Sequence, residues 1–261
     1  INSPDPDDVG KVTDEMADQW KNFNLVVGRE FPINNLDNAI RALEGACPNQ
    51  IWFDNFHNKY FYQNGIGFKQ WTRDDDLDLT AKFQRELCLR RMTNDIVQQA
   101  VRVFGKKNPK NEPLDWMNSL TWDKVPRISN FFHTHLGSDL NEYTMAASHN
   151  FFISICARIY QPGCQSRNVP VLEGPQDQGK SKALAILGKH FYAEAINILD
   201  SKDFYVCLQG KFIIEIGELH TFSRADVTRI KQVVSCQSDY YRDVYGERAI
   251  DHPRTCIFVG T

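Results

Sequence analysis

Residues 174–181 read GPQDQGKS, and no other stretch limits the fold of this chain as strongly. Gly174, Gly179, Lys180 and Ser181 fit the pattern G-x-x-x-x-G-K-[ST] without mismatch. Glycines let the backbone curl until successive N–H groups converge on phosphate oxygens. A helix starting near Lys180 would point its positive end at the same anion. The context fits: the apolar stretch NVPVLE precedes the loop, and an apolar-periodic stretch follows it. A strand, a phosphate loop and a helix are therefore expected in that order. The nucleotide-binding set is Gly174, Pro175, Gln176, Asp177, Gln178, Gly179, Lys180, Ser181 and Lys182. Lys180 is expected to reach the outer phosphates, and the Ser181 hydroxyl to ligate Mg2+.

Nucleotide hydrolysis also needs carboxylates, and the apolar run KFIIEIGEL at 211–219 supplies Glu215 and Glu218. A neighbouring strand ending here would set Glu215 on the magnesium side and Glu218 where it can orient the attacking water. The catalytic set is thus Lys180, Glu215 and Glu218, with Ser181 and Glu215 as metal ligands. ATP and Mg2+ are the expected cofactors.

Around these motifs, strands alternate with helices: strands at 168–174, 211–219 and 254–261, helices at 180–191, 201–210 and 223–238. That alternation predicts an α/β fold with a parallel sheet. The earlier part of the chain reads differently. Helices are expected at 13–22 and 35–46, and a β-hairpin over 51–65, where two aromatic runs flank Asn55 to Asn58. Asp74, Asp75 and Asp76 read as a helix start, since acids suit the positive end of the helix dipole. A second helix follows from 93, and NPKNEPLD at 108–115 reads as a linker. The resulting domains are a mainly helical α+β domain with a β-hairpin over 1–130 and a phosphate-loop core over 131–261.

The net charge of -3 supplies no general pull toward nucleic acid or acidic membranes, so any such site must be local. No apolar run approaches the about twenty residues of a membrane span. Seven scattered cysteines without C-x-x-C spacing suit a reducing cytoplasm. His133 and His135, two apart on an expected helix, face different ways and do not form a metal pair. Between the second and third strands, Lys231, Arg242, Arg248 and Arg254 are interleaved with Tyr240, Tyr241 and Tyr245. Such a mixture suits single-stranded nucleic acid. Asp239, Asp243, Glu247 and Asp251 in the same stretch fit an ordinary solvated loop as well, and composition leaves both open.

Five segments in order, LTWDKVPRI (120–128), ARIYQPGC (157–164), VLEGPQDQGKS (171–181), FIIEIGEL (212–219) and SDYYRDVYGERAIDHPRTCIFVGT (238–261), resemble the virulence-associated protein E family of phages and mobile elements. That family is similar to superfamily 3 helicases, a branch of the AAA+ ATPases. The resemblance implies an ATP-dependent DNA helicase in phage or mobile-element replication, cytoplasmic in a bacterial host. It also implies a homo-hexamer for the complete protein, with single-stranded DNA or a replication fork as partner. Residues 174–181 would be the Walker A loop and the strand ending near 218 the Walker B strand. Lys231, Arg242 and Arg248 would face DNA. From the residues themselves, Arg254 is alternatively a charge stabiliser for a neighbouring subunit's nucleotide, in arginine-finger fashion. The core would continue past Thr261. From the residues alone, a phosphate-loop kinase acting on a small molecule and a non-enzymatic, nucleotide-binding interference protein stay open as alternatives.

Overall fold

The computed structural model describes residues 12–195, 202–217, 223–242 and 249–261, with the backbone alone at 202, 203, 225 and 226. It divides into two compact units, Ile1–Asn111 and Glu112–Thr261.

The first unit runs α1 (Asp14–Asn22), α2 (Leu36–Ala46), β1 (Ile51–Asp54), β2 (Lys59–Asn64), β3 (Gly67–Gln70), α3 (Arg73–Glu86), α4 (Asn94–Lys107) and β4 (Pro109–Lys110). Its helices start where a short polar side chain can satisfy an otherwise unpaired N–H. Thr13 accepts from Met16, Asn35 from Asn38 and Thr93 from Ile96. At α3, Asp75 accepts from both the backbone N–H and the hydroxyl of Thr72, so the acidic run does serve as a helix start. The strands form one sheet in the order β3-β2-β1-β4. Leu43, Phe83, Leu89, Val97 and Phe104 make the core between helices, and Ile51, Tyr60 and Tyr62 from one face of the sheet pack against it. Gly105 lets α4 approach that face closely: a Cβ there would meet the Tyr60 ring at 2.8 Å.

The second unit runs α5 (Glu112–Ser119), α6 (Phe131–Leu136), α7 (Glu142–Tyr160), α8 (Lys180–Gly188), β5 (Tyr192–Glu194), α9 (Lys202–Cys207), β6 (Ile213–Ile216), α10 (Arg224–Ser235), β7 (Ser238–Tyr241), β8 (Ile250–Pro253) and β9 (Ile257–Gly260). β5, β6 and β9 form a parallel sheet in that spatial order, and β7 pairs with β8 as an antiparallel ribbon. The protein is therefore mixed α/β with a parallel sheet, as expected. β6 and β9 are buried along their whole length, which is why they read as near-continuous apolar runs, interrupted in β6 only by Glu215, rather than as alternating ones.

Three local features depart from the sequence reading. The stretch read as a linker starts α5, and residues 112–130, grouped above with the N-terminal domain, fall in the second unit. There Tyr160 of α7 donates its hydroxyl to Asn118, and Ser148 donates to the Ile128 carbonyl. The strand expected before the phosphate loop is reduced to a parallel bridge between Val171 and Gly260 at the end of β9. β5, hidden in the sequence behind α8, supplies a further strand. Among the described residues, no helix is long and apolar enough to cross a membrane.

Candidate functional site

The loop at 174–179 lies between that Val171 bridge and α8. Gly179 closes it at φ 79, a left-handed conformation that glycine adopts without steric cost, and caps α8. A Cβ at Gly174 or Gly179 would meet nothing within 4 Å, so both glycines face open space. Every predicted loop residue except Pro175 lines a cavity of about 940 Å³ at the C-terminal edge of the sheet. Lys180 Nζ donates to the carbonyls of Gly174 at 2.8 Å and Pro175 at 2.9 Å, which holds its charge at the loop.

Glu215 is the other pole of the site. It is 1% exposed, at the end of β6, and it accepts three hydroxyl hydrogen bonds. Ser181 and Thr261 both donate to Oε1, at 2.6 and 2.7 Å, and Tyr192 donates to Oε2 at 2.6 Å. A carboxylate is buried here because these donors replace water. Burial, and next the bond to Glu215, raise the Tyr192 phenol above its ordinary value and keep it a donor. Gly188 lets Tyr192 lie tight against α8: a Cβ at 188 would sit 2.6 Å from that of Tyr192.

The strand carrying Glu215 is not adjacent to the segment leading into the loop. β9 lies between them, paired with β6 on one side and with Val171 on the other. The reach is made by α8, whose first turn brings Ser181 to Glu215, while Thr261 arrives from the end of β9. The two acids expected together cannot be compared, since Glu218 lies outside the described residues. Sequence reasoning missed Tyr192, Glu194 and Thr261. Glu194 is paired in register with Glu215 and lines the same cavity. Its signal in the sequence was faint: a three-residue strand directly after a helix.

Tyr192→Phe removes one of three donors from a buried carboxylate and should cost about 1–3 kcal/mol of stability. The check is the midpoint of urea unfolding. An unmoved midpoint would mean that Ser181 and Thr261 satisfy Glu215 alone.

This donor set fits a nucleoside triphosphate with a divalent cation. Lys180 and the start of α8 offer positive charge to phosphate, while Ser181 and Glu215 offer two oxygens to a hard cation. Mg2+ usually takes only one or two protein oxygens beside substrate phosphates. No group of three or more His, Cys, Asp or Glu among the described residues could hold a metal by itself.

Two of the three residues expected to face DNA lie among the described residues. Lys231 is on α10 and Arg242 follows β7, both with exposed side chains; Arg248 lies outside the described residues. Tyr240 is 70% exposed, whereas Tyr241 turns inward and stacks on His252 at 4.0 Å. Arg254 is placed differently from an arginine finger. It is 2% exposed, and its guanidinium is engaged by both carboxylate oxygens of Asp239 and by the Val233 carbonyl. A side chain held this way binds α10 to the ribbon and has no freedom to reach a nucleotide elsewhere.

No curated protein matches this sequence. Among solved structures, the chain is similar to the apo structure of NrS-1 C terminal region (305-718), at 17% identity and a TM-score of 0.44, over 80% of this chain and 53% of that one. It is also similar to an A form of the same region, at 17% identity and a TM-score of 0.47, over 87% and 56%. The chain thus spans about half the length of those solved chains. The virulence-associated protein E-like domain matches residues 117–261, a stretch that holds the loop, Glu215, the ribbon and more than half of the sequence. This chain belongs to the virulence-associated protein E-like family.

Proposed function

We propose that the protein is an ATPase whose turnover is coupled to single-stranded DNA, a superfamily 3 helicase-like AAA+ motor serving phage or mobile-element replication. One observation carries this reading: Lys180, Ser181 and the buried Glu215 converge on one cavity at the edge of a parallel sheet. Lys180 and the amides opening α8 would hold the phosphate tail, and Ser181 and Glu215 would hold Mg2+, which neutralises phosphate charge when bound. Tyr192 and Thr261 keep the Glu215 carboxylate aimed at Ser181. Glu218 takes the water-orienting role. Lys231, Arg242 and Arg248 take the DNA-facing role, with Tyr240 offering a ring for stacking. The complete protein would assemble as a homo-hexamer around the strand.

Phosphate release from ATP should rise when single-stranded DNA is added to the protein. Turnover that ignores DNA would end the motor reading, and phosphate transfer to a small acceptor would replace it with a kinase. If the protein's biological effect survived loss of turnover, a nucleotide-binding interference role would take its place.

A further inference from the structure

The sheet of the first unit has a second face, opposite the one packed on the helices. Cross-strand partners share a face, so the pairings Trp52–Phe61, Phe61–Gln70 and Gln63–Phe68 place these five side chains together. The pairings of Asp54 with Lys59 and Lys110 add a charged row at one end. Trp52, Phe61 and Phe68 stand outside the hydrophobic core of the unit and form a cluster of their own. Trp52 stacks with Phe61 at 6.4 Å, and Phe68 meets both rings edge-on at 6.0 and 5.8 Å. Phe68 is 55% exposed, and Lys110 Nζ lies 3.6 Å above the Trp52 ring centroid.

The charged side chains on this face are Lys59, Lys110 and Asp54. The stretches 55–72 and 96–111 around it hold no acidic residue, although their other basic residues lie elsewhere: Lys69 shares the opposite face with Tyr62, and Arg102, Lys106 and Lys107 are on α4. Asp54, the one acid on the face, is buried and accepts from the backbone N–H groups of Phe56 and His57 and pairs with the His57 ring. Lys69 and Lys107 have acidic neighbours in Asp75 and Glu44. Lys59 and Lys110 are exposed and have no ion-pair partner among the described residues. Aromatic rings flanked by two exposed lysines, one of them lying over Trp52, and by the amides of Gln63 and Gln70 match the chemistry of a single strand: stackable bases on a phosphate backbone.

The geometry points to this face as a binding platform for single-stranded nucleic acid, separate from the nucleotide site. A base stacks on Phe68 against the Phe61 edge, Lys59 and Lys110 take backbone phosphates, and Gln63 and Gln70 offer hydrogen bonds to base edges. The inference does not depend on ATP hydrolysis.

The test is fluorescence anisotropy of a labelled oligothymidylate titrated with the intact chain, without nucleotide, over a range of salt concentrations. Phe68→Ala should weaken binding about 10-fold through lost stacking. Replacing Lys59 and Lys110 together by Gln should reduce the log–log salt slope by about 1.4, two phosphate contacts at about 0.7 each. Both variants change exposed side chains, so thermal unfolding and DNA-free ATP turnover should match the wild type. Gln70→Glu, which puts a negative charge on the face, should also weaken binding. The same Phe68 effect in a Lys231→Ala, Arg242→Ala background would separate this platform from the ribbon. Wild-type affinity and salt slope in the folded variants would overturn the inference and leave the face to a protein partner. Absence of binding by the wild-type chain at low salt would overturn it too.

Discussion

Lys180→Ala should lower ATP turnover by about 10²–10³-fold, the loss typical of removing one charge stabiliser from a reacting centre. The expected effect is large because the Lys180 ammonium is held at the loop by the Gly174 and Pro175 carbonyls. Charge develops on the phosphate oxygens as the bond breaks, and alanine offers them nothing in its place. The same two carbonyls lie at an exposed loop where water can solvate them, so folding stability should move by no more than about 0.5 kcal/mol. Steady-state phosphate release and thermal unfolding on the same preparation separate the two effects. Turnover within a few-fold of wild type in a folded Lys180→Ala protein would remove the phosphate-loop reading altogether.

Asp239→Ala should have the largest effect on stability, a loss of about 3–5 kcal/mol, because it strands a buried guanidinium. Arg254 cannot regain water by moving. Its own carbonyl accepts from Gly163 at 2.9 Å and from the Arg158 guanidinium at 3.1 Å, and its N–H donates to Gln237 at 2.9 Å. The pair therefore ties together the end of α7, the end of α10 and the ribbon. Urea unfolding of the intact chain measures the loss. Replacing both partners with apolar residues, Asp239→Leu with Arg254→Met, should cost less than Asp239→Ala alone, since no unpaired charge is left buried. A single change that shifts stability by less than about 1 kcal/mol would show that water or another group reaches Arg254.

Much of this fold was legible in the residues. Thr13, Asn35 and Thr93 mark helix starts through local hydrogen bonds that depend only on near neighbours in the chain. The apolar runs at 213–216 and 257–260 announced buried parallel strands, and the glycines of 174–179 announced a tight loop before a helix. The candidate site was legible in part: Lys180 and Ser181 follow from the spacing of the loop, and Glu215 from its place in an apolar run. Tyr192, Glu194 and Thr261 did not, because each is brought to the cavity by strand pairing across dozens of residues, and nothing in their neighbours signals it. Arg254 failed for the complementary reason. A basic residue in a polar stretch reads as a surface charge until a buried carboxylate is seen beside it.

Sequence alone thus determined the helix starts, most of the elements and the turn before α8, since caps, glycine turns and apolar periodicity act within a few residues. Tertiary structure decided which strand lies between the loop and Glu215, which hydroxyls hold that carboxylate, and which face of the first sheet packs on the helices. Those outcomes depend on the register and order of strands, which are set by burial summed over the whole unit rather than by any local stretch.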